Sequence, residues 1–67
     1  MKKVNAEIRL KLFENDIKYA ELLPYTGFKH ITRISEELAR PLKKERKQVY
    51  LDAIEKIRQE KIKIYES

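Results

Sequence analysis

The residues best suited to polar recognition lie together in the middle of the chain, just after its single glycine, Gly27. The segment that follows offers an imidazole, two hydroxyls and a guanidinium, on His30, Thr32, Ser35 and Arg33. Residues 27–47 carry seven basic and three acidic side chains, so that +4 of the chain's net charge of +5 falls there. A local positive excess favours a polyanionic partner. The alternative is that these charged side chains only form a helix face that is exposed to water.

Other kinds of chemistry find little support in the sequence. With no cysteine and one histidine, the chain offers neither a thiolate metal site nor a multi-histidine site, and no metal or cofactor is expected. The acidic residues match no catalytic motif and no Gly-rich phosphate loop is present, so an enzyme is not expected. No apolar run approaches the roughly 20 residues of a membrane span, and the first residues do not resemble a signal peptide. We therefore expect a cytoplasmic protein.

Hydrophobic spacing predicts an all-α fold, a compact bundle of four to five helices in which residues 1–67 form one domain. The first helix should run over residues 6–14, with Asn5 as its cap and Ile8, Leu12 and Phe13 facing inward. Ile17 should then enter the core.

A second, short helix is expected over about residues 18–23, because Pro24 disfavours helical geometry in the residue before it. The alternative is a later start with Pro24 in the first turn. Gly27 suits a left-handed turn. The third helix should begin near Lys29 or His30, present Ile31, Ile34 and Leu38 to the core, and end before Pro41.

The fourth helix should begin near residue 44 and continue to about residue 57. Its inward face is predicted to comprise Val49, Tyr50, Ala53, Ile54 and Ile57. Glu45, Arg46, Asp52 and Glu55 should then point outward. Beyond it, within residues 58–67, apolar and charged residues alternate over residues 61–65, in a way that fits either a strand or a continued helix. Apolar residues beyond the natural end of the domain suggest a homodimer formed through Ile62, Ile64 and Tyr65.

Two short helices joined at a glycine form a helix-turn-helix pattern, in which the second helix enters the DNA major groove. We expect base contacts from His30, Thr32 and Arg33, the last of which is suited to guanine. Phosphate contacts are expected from Lys29, Ser35, Arg40, Lys43 and Lys44. Glu36 and Glu37, which are predicted to lie on the outward face of this helix, are unfavourable near phosphates. They should lie at the end of the helix that is away from the DNA major groove, unless one of them accepts a hydrogen bond from cytosine.

Two stretches, EIRLKLFENDIKYAELLPYTGF and ITRISEELARPLKKERKQVYLDAIEKI, resemble the small phage-type helix-turn-helix proteins of the Cro and lambda-repressor-like class. The resemblance covers about residues 5–57. It implies a sequence-specific DNA-binding transcriptional regulator of a phage or mobile element, either repressor or activator. The chain departs from the pattern at Pro24, at Thr26 and in a longer turn after Gly27. Those departures and the acidic pair leave open a protein-interaction module, such as an antirepressor, on the same scaffold.

Overall fold

The computed structural model describes the backbone of residues 4–66 and the side chains of residues 4–64. This part of the chain forms four helices and no strand: α1 Ala6–Glu14, α2 Tyr19–Thr26, α3 Ile31–Leu38 and α4 Lys44–Glu66. The predicted all-α fold is confirmed, with four helices rather than five, and the C-terminal segment continues α4 as a helix. None of the helices in these residues combines the length and apolar character needed to cross a membrane.

The inner face of α4 is the centre of the core. Tyr50, Ala53, Ile54 and Ile57 follow helical spacing and are all buried, as predicted, whereas Val49, which was predicted with them, is only partly buried. The backbone of α2 packs against both α3 and α4, and that of α1 packs against α4. These helices and the α1–α2 turn contribute the remaining buried apolar side chains, which are Ile8, Leu12, Ile17, Leu22, Ile34 and Leu38.

The C-terminal part of α4 extends beyond the last buried residue, Ile57, and Lys61 connects it to the turn between α1 and α2. Lys61 Nζ donates to the backbone carbonyls of Asn15 and Asp16, at 3.4 and 2.7 Å, and lies 3.5 Å from a Glu21 oxygen. The radius of gyration is 12.1 Å, against about 11 Å for a compact domain of this length. The projecting end of α4 is consistent with that difference.

The prediction that Phe13 faces inward is wrong, since 84% of its surface is exposed. Ile8 and Leu12 are four residues apart and point α1 at the core. Phe13 follows Leu12 by about 100° around the helix, which turns it toward solvent. Leu10, on the side of α1 away from the core, is 58% exposed.

Asn5 does not cap α1 as predicted. Its backbone is left-handed, with φ of 57°, and its side chain makes no capping hydrogen bond. Asparagine tolerates this conformation better than most residues. The side-chain amide instead donates to the carbonyls of Leu38 and Arg40, at 2.9 and 2.8 Å. Asn5 therefore satisfies the C-terminal end of α3, not the N-terminal end of its own helix.

Pro24 does not end α2, which continues to Thr26 with the proline inside it. The missing amide hydrogen would have bonded to the carbonyl of Ala20. Ala20 and Pro24 are both exposed, so water can bond to that carbonyl. The helix ends at Gly27, which has the predicted left-handed backbone (φ 82°), and whose amide donates to Leu23 O at 3.3 Å.

The third helix begins one residue later than predicted, at Ile31, with His30 in the N-cap position. Ile34 and Leu38 are fully buried, but Ile31 is 50% exposed and does not anchor the helix as predicted. Its position in the first turn of α3 lies at the edge of the core. Phe28, in the turn before the helix, packs against the core there.

Candidate nucleic-acid interface

The outward face of α3 is defined by the two core residues on its opposite side. With about 100° per residue, Thr32 and Arg33 lie roughly 140° and 120° from the direction of Ile34 and Leu38, one on each side of the helix. Glu36 lies between them, about 180° from the core direction. The side chain of Arg33 is 70% exposed and that of Glu36 is 61% exposed, with 3.8 Å between their nearest nitrogen and oxygen. These three side chains therefore meet anything that covers α3.

A groove runs between the C-terminal half of α3 and the loop that leads to α4. Arg33, Arg40, Lys43 and Arg46 line it, together with two acidic residues and an apolar floor that includes Phe28, Pro41 and Leu42. The acidic residues are Glu36 and Glu37. The groove therefore has a net positive charge, which favours a polyanion such as a row of phosphates.

Arg46 neutralises one of the two acidic residues. Arg46 Nε and Nη2 donate to the Glu37 carboxylate at 3.1 and 2.7 Å, and the Tyr50 hydroxyl donates to it at 2.6 Å. The Arg46 guanidinium also lies over the Phe28 ring, 5.4 Å from its centroid. Arg46 and Glu37 were both predicted to point outward, and both predictions are wrong. The side chains are 34% and 22% exposed.

The pKa values of this cluster indicate that Glu37 is ionised at neutral pH. Burial alone would raise the pKa of Glu37, but hydrogen bonds from Arg46 and Tyr50 and the charge of Arg46 together lower it below its ordinary value. The hydrogen bond to Glu37 raises the pKa of Arg46. Burial, and then the bond to Glu37, raise the pKa of the Tyr50 hydroxyl. The charges of Glu37 and Arg46 offset each other, which leaves Arg33, Arg40 and Lys43 against Glu36 in the groove.

Side-chain hydrogen bonds, rather than backbone packing, connect α3 to α1 and α4. Among residues 4–66, no Cα atom of α3 comes within 8 Å of a Cα atom in either helix. Glu37 bridges to α4 as described above. From the α1 side, Asn5 bonds to two carbonyls at the end of α3, and Arg9 Nη2 donates to Leu38 O at 3.2 Å. The C-terminal half of α3 is thus fixed from two sides, while Ile34 holds the N-terminal half in the core and Thr32 and Arg33 point away from it.

All eight predicted contact residues are exposed: Lys29, His30, Thr32, Arg33, Ser35, Arg40, Lys43 and Lys44. Arg33, Arg40 and Lys43 share the groove, and the other five lie outside it. His30 and Lys29 belong to the turn before α3, whereas Lys44 begins α4. A further member of the basic run, Lys47, pairs with Glu7 of α1 at 3.1 Å. The described residues contain no group of three side chains able to hold a metal ion.

Sequence reasoning missed the polar residues that position α3. Glu37, Arg46 and Tyr50 come from two helices, so no spacing within one helix brings them together. One signal was available: Glu37 lies only about 80° from the core direction of α3, where an acidic side chain needs a partner. Asn5 and Arg9 gave no comparable signal, because their acceptors are backbone carbonyls some thirty residues away.

The predicted dimerisation segment is exposed where it is described. Ile62 is 42% exposed and Ile64 is 73% exposed. Two residues apart on a helix, they point about 200° from each other and do not form a single stripe. The side chain of Tyr65 lies outside the described residues.

Comparisons of the chain with protein-family models, curated proteins and solved structures found no match. The resemblance to Cro and lambda-repressor-like proteins therefore stays a prediction from the residues quoted above.

Proposed function

We propose that this protein is a sequence-specific DNA-binding regulator of transcription, of the phage or mobile-element type. In this proposal α2, the turn after Gly27 and α3 act as a helix-turn-helix, and α3 enters the major groove of double-stranded DNA. The protein would act in the cytoplasm. The observation that carries it is the outward face of α3. Thr32 and Arg33 project there beside the basic groove of Arg40 and Lys43, while the opposite side of the helix is fixed in the core.

Each part of this face has a role that follows from its chemistry. Arg33 offers a fork of donors that matches O6 and N7 of guanine, and the hydroxyl of Thr32 can bond to a base or its methyl can contact thymine. Arg40 and Lys43 bind phosphates, and the exposed Lys29, Ser35 and Lys44 extend that contact. His30, the residue before α3, can bond to a base or to a phosphate. If the chain neutralises three to five phosphates, the logarithm of affinity should fall with the logarithm of salt concentration with a slope of about −3 to −4.5.

Two features of the sequence favoured a protein-interaction module over DNA binding, and in the folded chain both are more compatible with DNA binding. Glu37 is paired with Arg46 and Tyr50, so its charge is compensated within the protein. Pro24 leaves α2 intact to Thr26, and the buried hydroxyl of Thr26 donates to Leu22 O at 3.0 Å. Both observations support a functional helix-turn-helix.

Arg33→Ala tests the proposal, with Arg58→Ala as the matched control. Arg58 is also an exposed arginine in an i,i+3 pair, with Glu55 at 3.2 Å, but it lies on α4 beyond the core. Fluorescence anisotropy should be measured with a duplex selected from a random pool and with a random duplex. Arg33→Ala should lose about 1–3 kcal/mol on the selected duplex and much less on the random one, whereas Arg58→Ala should change neither substantially. If Arg33→Ala keeps the preference between the two duplexes, Arg33 does not read the sequence.

We further propose that two copies bind together, because one α3 covers only a short half-site. The proposed interface consists of Ile62, Ile64 and Tyr65. Ile62 and Ile64 are exposed near the end of α4, on different sides of the helix, so each would contact the partner separately. Deleting residues 59–67 would also remove Lys61 and its bonds to the α1–α2 turn. Ile62→Ser/Ile64→Ser is therefore the cleaner variant, and light scattering should show a shift from dimer to monomer together with weaker binding of the selected duplex. An unchanged mass would dispose of this interface.

A protein-interaction module, of the antirepressor kind, is the second candidate, and one observation favours it. Leu10 and Phe13 are one helical turn apart on α1 and are 58% and 84% exposed. An apolar pair of this kind suits a protein partner. A random duplex at low salt separates the two candidates, because a DNA-binding regulator binds it and an adaptor does not.

A further inference from the structure

Glu36 occupies the outermost position of α3. It lies opposite the buried Ile34 and Leu38, four residues after Thr32 and three after Arg33. Any surface that docks against Thr32 and Arg33 therefore meets the Glu36 carboxylate as well. A DNA duplex docked on α3 could not avoid it.

The two carboxylates of α3 have different surroundings. Glu37 accepts three hydrogen bonds from Arg46 and Tyr50. Among the side chains of residues 4–64, Glu36 forms an ion pair only with Arg33, at 3.8 Å, and both side chains are well exposed. Exposed ion pairs at such a distance contribute little to the free energy of folding, since water screens the charges and the loss of side-chain entropy opposes the pairing. Both side chains can thus separate and contact a ligand at little cost.

We infer that Glu36 accepts a hydrogen bond from the amino group of a cytosine in the site that α3 reads, and that it weakens binding to duplexes without this cytosine. The inference rests on the proposed DNA-binding function. In the major groove, cytosine presents its N4 amino group as a donor, whereas adenine presents its amino group beside the acceptor N7, which repels a carboxylate. Where no donor is present, the negative carboxylate faces phosphates and base acceptors without compensation.

The spacing of Arg33 and Glu36 limits where the cytosine lies. Three helical residues span about 4.5 Å along the axis, and neighbouring base pairs are about 3.4 Å apart. A guanine bound by Arg33 and a cytosine bound by Glu36 should therefore lie within one or two base-pair steps of each other. The preferred half-site should contain such a pair.

Selection of duplexes from a random pool tests this inference, with wild-type protein, Glu36→Gln and Glu55→Gln in parallel. Glu55→Gln is the matched control, because Glu55 also forms an exposed i,i+3 pair with an arginine, Arg58, but away from α3. The wild-type pool should be enriched in a cytosine near a guanine. Glu36→Gln should keep the guanine but replace the cytosine with adenine, since glutamine pairs with N6 and N7 of adenine. It should also bind a random duplex roughly threefold to tenfold more tightly, because one charge that repels nearby phosphates is removed. Glu55→Gln should leave the selected sequence unchanged.

Each result bears on a different claim. If Glu36→Gln selects the same sequence as the wild type, or if the wild-type pool has no cytosine near its guanine, the role of Glu36 is overturned while DNA binding stands. A wild-type chain that binds no duplex at low salt would overturn the proposed function and this inference with it.

Discussion

Glu37→Ala should lower the free energy of unfolding by about 2–3 kcal/mol, because Glu37 connects α3 to α4. Its carboxylate accepts two hydrogen bonds from Arg46 and one from Tyr50, between 2.6 and 3.1 Å. A hydrogen bond to a charged group contributes about 1.5–3 kcal/mol. Arg46 and Glu37 are 34% and 22% exposed, so solvent screens the pair and the total stays below the sum of three bonds. The change also leaves the buried Tyr50 hydroxyl without its acceptor.

This loss is large for so small a domain. A chain of this length holds roughly 3–5 kcal/mol of net stability, so the variant should retain at most about 3 kcal/mol of it. The midpoint of thermal unfolding should fall by roughly 10–20 °C. Urea denaturation followed by far-ultraviolet circular dichroism measures the change directly, as a lower midpoint with an unchanged slope.

Glu55→Ala is the control for this measurement. Glu55 accepts bonds from Arg58 and Gln59 at 3.2 Å, but it is exposed and its partners lie on the same helix. Its replacement should cost less than about 0.5 kcal/mol. If Glu37→Ala and Glu55→Ala lower the urea midpoint equally, the bridge between α3 and α4 does not stabilise the fold as reasoned here.

Two further predictions concern the residues that hold α3. Because the pKa of Glu37 is lower in the folded chain than its ordinary value of 4.5, the contribution of the ionised carboxylate to stability is complete above about pH 4.5 and is lost as the pH falls below that value. The urea midpoint of Glu37→Gln should therefore fall less than that of the wild type between pH 7 and pH 3. Equal falls in the two midpoints would show that ionised Glu37 does not stabilise the fold. Asn5→Ala should lower the free energy of unfolding by about 1–3 kcal/mol, since it removes two hydrogen bonds and places alanine at positive φ. Asn5→Gly removes only the hydrogen bonds, so thermal denaturation should show a smaller loss of stability. Equal losses would show that the backbone conformation contributes nothing.

Much of the fold could be predicted from the sequence, because its helices obey local rules. Two sets of residues repeat at helical spacing and do face the core: Ile8 and Leu12 in α1, and Tyr50, Ala53, Ile54 and Ile57 in α4. Gly27 ends α2 in the left-handed conformation that the residue type suggests. These features depend on neighbours within one or two turns of the chain.

Features that depend on the relative placement of helices could not be predicted in the same way. Asn5 has the residue type of a helix cap, but its position near the end of α3 gives it two carbonyls to bind instead. Arg46 and Glu37 were predicted to be surface charges, because the sequence does not give the relative placement of α3 and α4 that pairs them. Phe13 and Ile31 fit helical patterns but lie beyond the area that α4 and α2 cover.

The candidate interface follows the same division. The exposure of Thr32 and Arg33 could be predicted, because it depends only on Ile34 and Leu38 facing the core. The groove shared by Arg33, Arg40 and Lys43, and the neutralised Glu37 beside it, depend on the loop and on α4. The sequence therefore indicated which residues could bind DNA, and the folded chain indicates which of them share one surface.

A nuclear magnetic resonance titration of the folded chain with a short duplex at low salt tests DNA binding by α3 most directly. The largest changes in amide chemical shift should fall on Thr32, Arg33 and Glu36 and on the loop residues Arg40 and Lys43, and they should diminish as salt is added. Changes centred on Leu10 and Phe13 of α1, or no changes at all, would contradict the claim that α3 binds DNA.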